Sequence, residues 1–168
     1  MRRSRLRARS TITALAACGL LTAAGAATAS AQSNGVETLR FTAAGVTVTA
    51  LDHGPSGKSP GDLYVYEGAL RQKGKRIGSI YGTNVTVKVS GKREIVQGQL
   101  SYDFGGGDSI VVTGISAYPV DGKNGFIVGE EVGRVVVGGT GIYSGARGNV
   151  TTTHQKNGTY KHVVRLYP

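Results

Sequence analysis

Residues 32–168 predict an all-β fold, an eight-stranded antiparallel β-barrel, and three observations carry that expectation. The stretch is rich in Val, Thr, Tyr and Gly, poor in Leu and Ala, and shows no apolar stripe repeating every 3.6 residues. Its candidate strands are separated by short glycine, proline or Asn/Asp signals, which favour hairpins and so antiparallel neighbours. Its strands also alternate with period two, and several place apolar residues on both faces, which suits a sheet closed on itself better than an open one. A sandwich of two sheets is the alternative architecture.

The elements follow in order. Arg2, Arg3, Arg5, Arg7 and Arg9 precede an uncharged run rich in Ala, Leu and Gly, and Ala29-Ser30-Ala31 offers small residues for cleavage before Gln32. Residues 1–31 therefore read as a secretory signal peptide, which makes a secreted, extracellular protein the expectation. Leu15-Ala16-Ala17-Cys18 is a rival lipoprotein box, but the apolar run continues past Cys18. No other stretch is long and apolar enough to span a bilayer as a helix. The remaining 137 residues are expected to form one domain.

The first strand, 39–51, sets Val46, Val48, Ala50 and Asp52 on the face opposite Thr47, Thr49 and Leu51, and ends in the turn signal Asp52-His53-Gly54-Pro55. The second, 62–70, runs to the basic turn region of Lys73, Lys75 and Arg76. In the third, 77–89, Gly82, Asn84 and Thr86 oppose Val85, Val87 and Val89; Lys88, Lys92 and Arg93 mark its end. The fourth and fifth, 94–104 and 108–118, are joined by Gly105-Gly106-Gly107. The sixth, 131–137, breaks at Gly138-Gly139-Thr140-Gly141, where glycine supplies the positive φ of a tight corner. The seventh and eighth, 146–154 and 159–167, flank Lys156-Asn157-Gly158. Apolar residues left on the outside imply a covering subunit, hence an oligomer.

Charge and chemistry narrow the function. The net charge of +10 falls to +5 once the five leader arginines are removed. The basic groups sit at turns without interleaved aromatics, so nucleic-acid binding is not expected. Cys18 leaves with the leader, and His53, His154 and His162 have no metal-ligand spacing. No serine stands at recognisable spacing from a His and an Asp, so a hydrolase triad is not indicated.

Three segments then carry a family resemblance. Asp62-Leu63-Tyr64-Val65-Tyr66, Gly98-Gln99-Leu100-Ser101-Tyr102-Asp103-Phe104, and Gly138-Gly139-Thr140-Gly141-Ile142-Tyr143 with Ala146-Arg147-Gly148 resemble successive motifs of the dirigent and allene oxide cyclase barrel superfamily. The resemblance implies a calycin-type eight-stranded barrel, usually a homotrimer, with a hydrophobic pocket at one mouth and no cofactor. It further implies orientation of a small hydrophobic oxygenated substrate, phenolic or oxylipin-like, so that it couples or cyclises stereoselectively, with a separate oxidase as partner in the dirigent case. Residue by residue, it offers Asp52 as the acidic group at the pocket mouth and Arg134 as the basic group ahead of the glycine turn. Tyr118 stands near the cyclase tyrosine, with Ser116 at the nominal position, and Asn84 replaces the cyclase cysteine. Asp52, Arg134 and Tyr118 are thus the candidate catalytic residues, and Asn84 and Ser116 the candidate substrate-binding ones; no metal site is expected. The cysteine replacement and the shorter acid count against true allene oxide cyclase activity, and the leader looks bacterial. Arg147 is expected to lock the corner made by Gly145 and Gly148. A non-catalytic barrel for hydrophobic ligands and an extracellular structural module remain open alternatives.

Overall fold

The structure, a computed structural model, describes residues 30–31, 35–120 and 126–168. Cys18 and the expected leader up to Ala29 lie outside the described residues; the end of that leader, Ser30–Ala31, forms a two-residue strand β1 against the start of the next. Eight long strands follow: β2 (Glu37–Leu51), β3 (Leu63–Gln72), β4 (Lys75–Ser90), β5 (Arg93–Gly105), β6 (Asp108–Pro119), β7 (Glu131–Thr140), β8 (Arg147–His154) and β9 (Tyr160–Tyr167). Each pairs antiparallel with its sequence neighbour, and β2 also pairs with β9 from Glu37↔Leu166 to Ala43↔Tyr160, so the sheet closes into an eight-stranded barrel. The barrel closes without β1.

Closure requires strands to bend, and the bends fall where register shifts interrupt the ladders: between Ala44 and Thr47 at Gly45, and between Thr86 and Lys88, among others. Period-two alternation then sorts the side chains as the sequence implies. Ile80 and Thr86 of β4 are buried inside, while Val85 and Val87 stand outside. The outer face carries further apolar residues, with Ile115 67% and Val137 56% exposed.

The interior is divided in two. At the end bearing the β5–β6 and β7–β8 turns, Phe41, Tyr102, Ile110, Val112, Val164 and Leu166 fill the barrel, and Phe41 meets Tyr102 edge to face at 5.0 Å. The β7–β8 corner is held by polar contacts: Asp108 Oδ1 accepts from the Ile142 N–H (3.0 Å), and Thr140 Oγ1 donates to the Gly107 carbonyl (2.6 Å). Arg147 donates to the Pro168 carbonyl through Nε and Nη2. At the opposite end the side chains do not fill the space. The β2–β3 and β8–β9 connections surround an opening there.

Candidate functional site

A cavity of about 430 Å³ occupies the open end, a size suited to a small-molecule ligand. Its apolar wall is built from Ala43, Val46, Val48 and Ala50 of β2 with Ile80, Val96 and Leu100. Into it point Tyr64, Tyr66, Asn84, Glu94, Tyr118, Arg134, His154, Tyr160 and His162, and Lys58 reaches over from the β2–β3 connection. A groove of about 360 Å³ on the outside, between Thr49, Val65, Tyr81 and Gln99, has Glu67 as its one charged side chain. The interior cavity is where polar groups converge, and it is the candidate site.

One cross-strand row explains how these groups fit. Ala50 pairs with Tyr64, Tyr64 with Asn84, Asn84 with Gly98 and Gly98 with Gly114; across the next strands Arg134 pairs with Val150 and Val150 with Val164. The two mid-strand glycines leave the floor open. A Cβ at Gly114 would lie 3.1 Å from Arg134 Cγ, and one at Gly98 would lie 3.5 Å from Arg134 Nε and collide with Asn84 Oδ1. The long arginine side chain therefore lies across β6 towards β5 in the space that two missing side chains leave. Gly98→Ala is expected to push Asn84 aside, to cost about 1–3 kcal/mol of stability and to weaken ligand binding; thermal melts and calorimetric titration check both.

Arg134 is 5% exposed. Its Nη2 donates to Tyr118 Oη at 2.8 Å, and its Nε–H has no partner although it is sealed from solvent. Among the described residues the ion pairs are Lys58–Glu94 and Arg93–Glu130, so no carboxylate neutralises this buried guanidinium. Asn84 Oδ1 and Ser116 Oγ are likewise buried without partners. Tyr118 still has its own hydroxyl proton to donate, because it accepts from the arginine.

The second cluster lies at the mouth. Glu94, 2% exposed, accepts from Lys58 Nζ at 3.0 Å through Oε1 and from Thr86 Oγ1 at 3.3 Å through Oε2. Lys58 also donates to Tyr64 Oη at 2.6 Å. Burial opposes the ammonium, but the hydrogen bonds to Tyr64 and Glu94 outweigh it and hold Lys58 above its usual pKa. The loop that brings Lys58 there is folded around Asp62, whose carboxylate accepts from the N–H groups of His53 (3.0 Å) and Ser59 (2.9 Å). Burial works against that charge too, and these donors with the Ser59 hydroxyl overcome it, lowering the Asp62 pKa.

Tyr66 and Tyr102 are pushed well above the usual phenol range by burial, partly countered by the Arg134 charge, so both stay protonated. His162 stacks on Phe41 at 5.6 Å, and its Nδ1 lies 3.0 Å from both the Tyr102 and Thr152 hydroxyls. Burial first, then the Arg134 charge, lower its pKa from 6.5 to about 3. Between those values the unfolded chain binds a proton that the folded barrel refuses. The barrel's stability is thus complete above pH 6.5 and declines as the pH falls towards 3, by at most about 1.4 kcal/mol per pH unit from this group. His162→Gln should flatten the acid limb of a melting-temperature profile over that window; an unchanged limb would assign it to other groups.

Of the residues singled out from the sequence, the structure brings Arg134, Tyr118 and Asn84 together in the cavity. Ser116 is buried on the same face of β6 as Tyr118, opposite Val96, outside the cavity lining. Asp52 departs from its expected place. β2 ends at Leu51, and Asp52 is exposed in the following turn, accepting from the Gly57 N–H at 3.3 Å, while Val48 and Ala50 of the same alternation do line the cavity. The carboxylate that faces the cavity is Glu94, which the sequence reading passed over. Its alternation with Val96 and Gly98 on β5 was the available signal.

No family model matches the sequence, nor does any curated protein. Solved structures do match. A pyocyanin demethylase is similar over 77% of this chain and 98% of its own, with a TM-score of 0.63 and 20% identity. The Diels-Alderase AbmU from Streptomyces koyangensis is similar over 77% of this chain, which spans 63% of that protein, with a TM-score of 0.59 and 18% identity. The pterocarpan synthase dirigent protein PsPTS1 is similar over 81% of this chain and 97% of its own, with a TM-score of 0.54 and 14% identity. What this chain shares with these proteins is the fold, a closed antiparallel β-barrel.

Proposed function

We propose that the barrel binds a small hydrophobic oxygenated metabolite in its open end and directs the stereoselective cyclisation or coupling of that molecule. The observation that carries this reading is Arg134, a buried guanidinium with no carboxylate partner among the described residues and an unpaired Nε–H on the wall of an apolar cavity. A ligand oxygen against Arg134 and Tyr118 satisfies both donors and stabilises negative charge developing on that oxygen. The apolar wall excludes water and holds the rest of the molecule in one reacting conformation. Asn84 gives the ligand a further polar anchor. The structural neighbours support the reading, since they include a Diels-Alderase and pterocarpan synthase dirigent proteins.

The test is chiral chromatography of the products when residues 32–168 are added to coniferyl alcohol undergoing one-electron oxidation, alongside calorimetric titration of the same phenol. An enantiomeric excess that rises with protein supports coupling control. Binding with racemic product removes coupling of this phenol and favours a carrier, or a cyclase for another substrate. Within the same reading the chain is exported and assembles as a homotrimer through its apolar outer face. Recovery of a chain beginning at Gln32 outside the cell, and its sedimentation mass, check those two points.

A further inference from the structure

We infer that Glu94 is the proton-transferring group of this cavity, and that its substrates are carbon acids: cyclic ketones or the keto forms of phenols, whose oxygen rests against Arg134 and Tyr118 while an adjacent C–H faces Glu94. The inference rests on the reading of the cavity as a ligand site and adds a reaction to it.

Three observations carry it. First, the antiparallel register sets Glu94 of β5 directly opposite Tyr118 of β6. Such pairs hold their Cβ atoms about 4.5–5.5 Å apart, and both side chains line the cavity. Tyr118 in turn accepts from Arg134 at 2.8 Å, so a carboxylate and a pair of oxyanion donors stand side by side on one wall. Second, the carboxylate is positioned without being used up. Lys58 takes one lone pair of Oε1 and Thr86 one of Oε2, which leaves each oxygen another. Third, the two poles are separately held. Glu94 is paired with Lys58, and the Arg134 guanidinium, which no carboxylate neutralises among the described residues, is left to attract negative charge that forms elsewhere. An ion pair serving stability alone has no need to face an open cavity.

The step balances without a cofactor. The C–H bond next to the carbonyl breaks and its proton goes to a Glu94 oxygen. The electron pair becomes the C=C bond of the enolate, and the carbonyl π pair moves onto the oxygen held by Arg134 and Tyr118. When Glu94 trades the abstracted proton for a solvent deuteron through the open mouth and delivers it to the same carbon, the result is exchange; delivery of a proton to a conjugated carbon gives isomerisation.

The experiment follows 2-tetralone with the mature protein in D₂O by proton NMR, with binding read separately by saturation transfer. The wild-type chain should exchange the protons beside the carbonyl faster than buffer alone. Glu94→Gln should bind the ketone equally and exchange it at least about a hundredfold more slowly. Glu94→Asp, which keeps a carboxylate and withdraws it, should fall between the two, and it decides the matter if the glutamine variant does not fold. Binding without exchange above buffer, or variants that exchange as fast as the wild type, would overturn the role of Glu94 and leave the cavity standing as a ligand site. Absence of binding would overturn both.

Discussion

Methionine in place of Arg134 should leave the barrel as stable as before, or more so, while ligand affinity falls about a hundredfold and stereochemical bias disappears. The apolar stem that covers Gly114 is retained by methionine, so the packing across β6 survives. What is lost is a charge that is 5% exposed and has no counter-charge among the described residues. Burying such a charge costs several kcal/mol, and removing it offsets the single hydrogen bond that Tyr118 forfeits, worth about 1 kcal/mol. Binding responds in the opposite sense, because a hydrogen bond between a buried guanidinium and a ligand oxygen is worth about 1.5–3 kcal/mol. Arg134→Lys keeps the charge but lacks the fork that serves Tyr118 and a ligand together, so it should recover only part of the affinity. Thermal melts beside calorimetric titrations give the answer. A loss of stability of ten degrees or more would make Arg134 a structural residue and withdraw the reading of the cavity built on it.

Gly148→Ala should lower the melting temperature by about 10 °C. Gly148 lies in β8 opposite Leu166, and a Cβ there would collide with the carbonyl oxygen of Arg165 in β9. Main-chain atoms in a hydrogen-bonded ladder cannot swing aside as a side-chain end can, so β8 and β9 must separate locally. Gly138→Ala is the control for adding a methyl group without either the collision or the φ of +157° that Gly148 adopts, since a Cβ at Gly138 meets nothing within 4 Å. It should melt within a degree or two of the wild type. Equal losses at both positions would point to backbone entropy and not to the close strand approach.

The eight long strands were legible because each carries a period-two pattern bounded by turn residues, and their ends differ from the expected ones by three residues or fewer. The grouping of Arg134, Tyr118 and Asn84 was legible only through the resemblance, since they belong to three different strands and meet through barrel closure. Asp52 shows where alternation stops being informative: a face is defined only while the strand lasts, and β2 ends one residue earlier. Glu94 shows the converse. It opens the expected strand 94–104 directly after the charged turn, where no preceding residue fixes a face, yet β5 begins at Arg93 and Glu94 is already an inward position. Its partner Lys58 comes from an irregular connection, and no periodicity reports where such a segment will fold.

The closing of β2 on β9 has a kinetic meaning. Seven of the eight seams join neighbours along the chain and form as local hairpins, whereas the eighth joins segments separated by nearly the whole barrel sequence and bears the largest loop-closure cost. Until that seam zips, the sheet has two bare edges able to recruit strands from other molecules, and its interior is wet. Refolding should therefore be limited by one late event and lose yield as protein concentration rises. The same event turns Arg134 and Glu94 from solvated charges on an open sheet into buried groups lining one cavity.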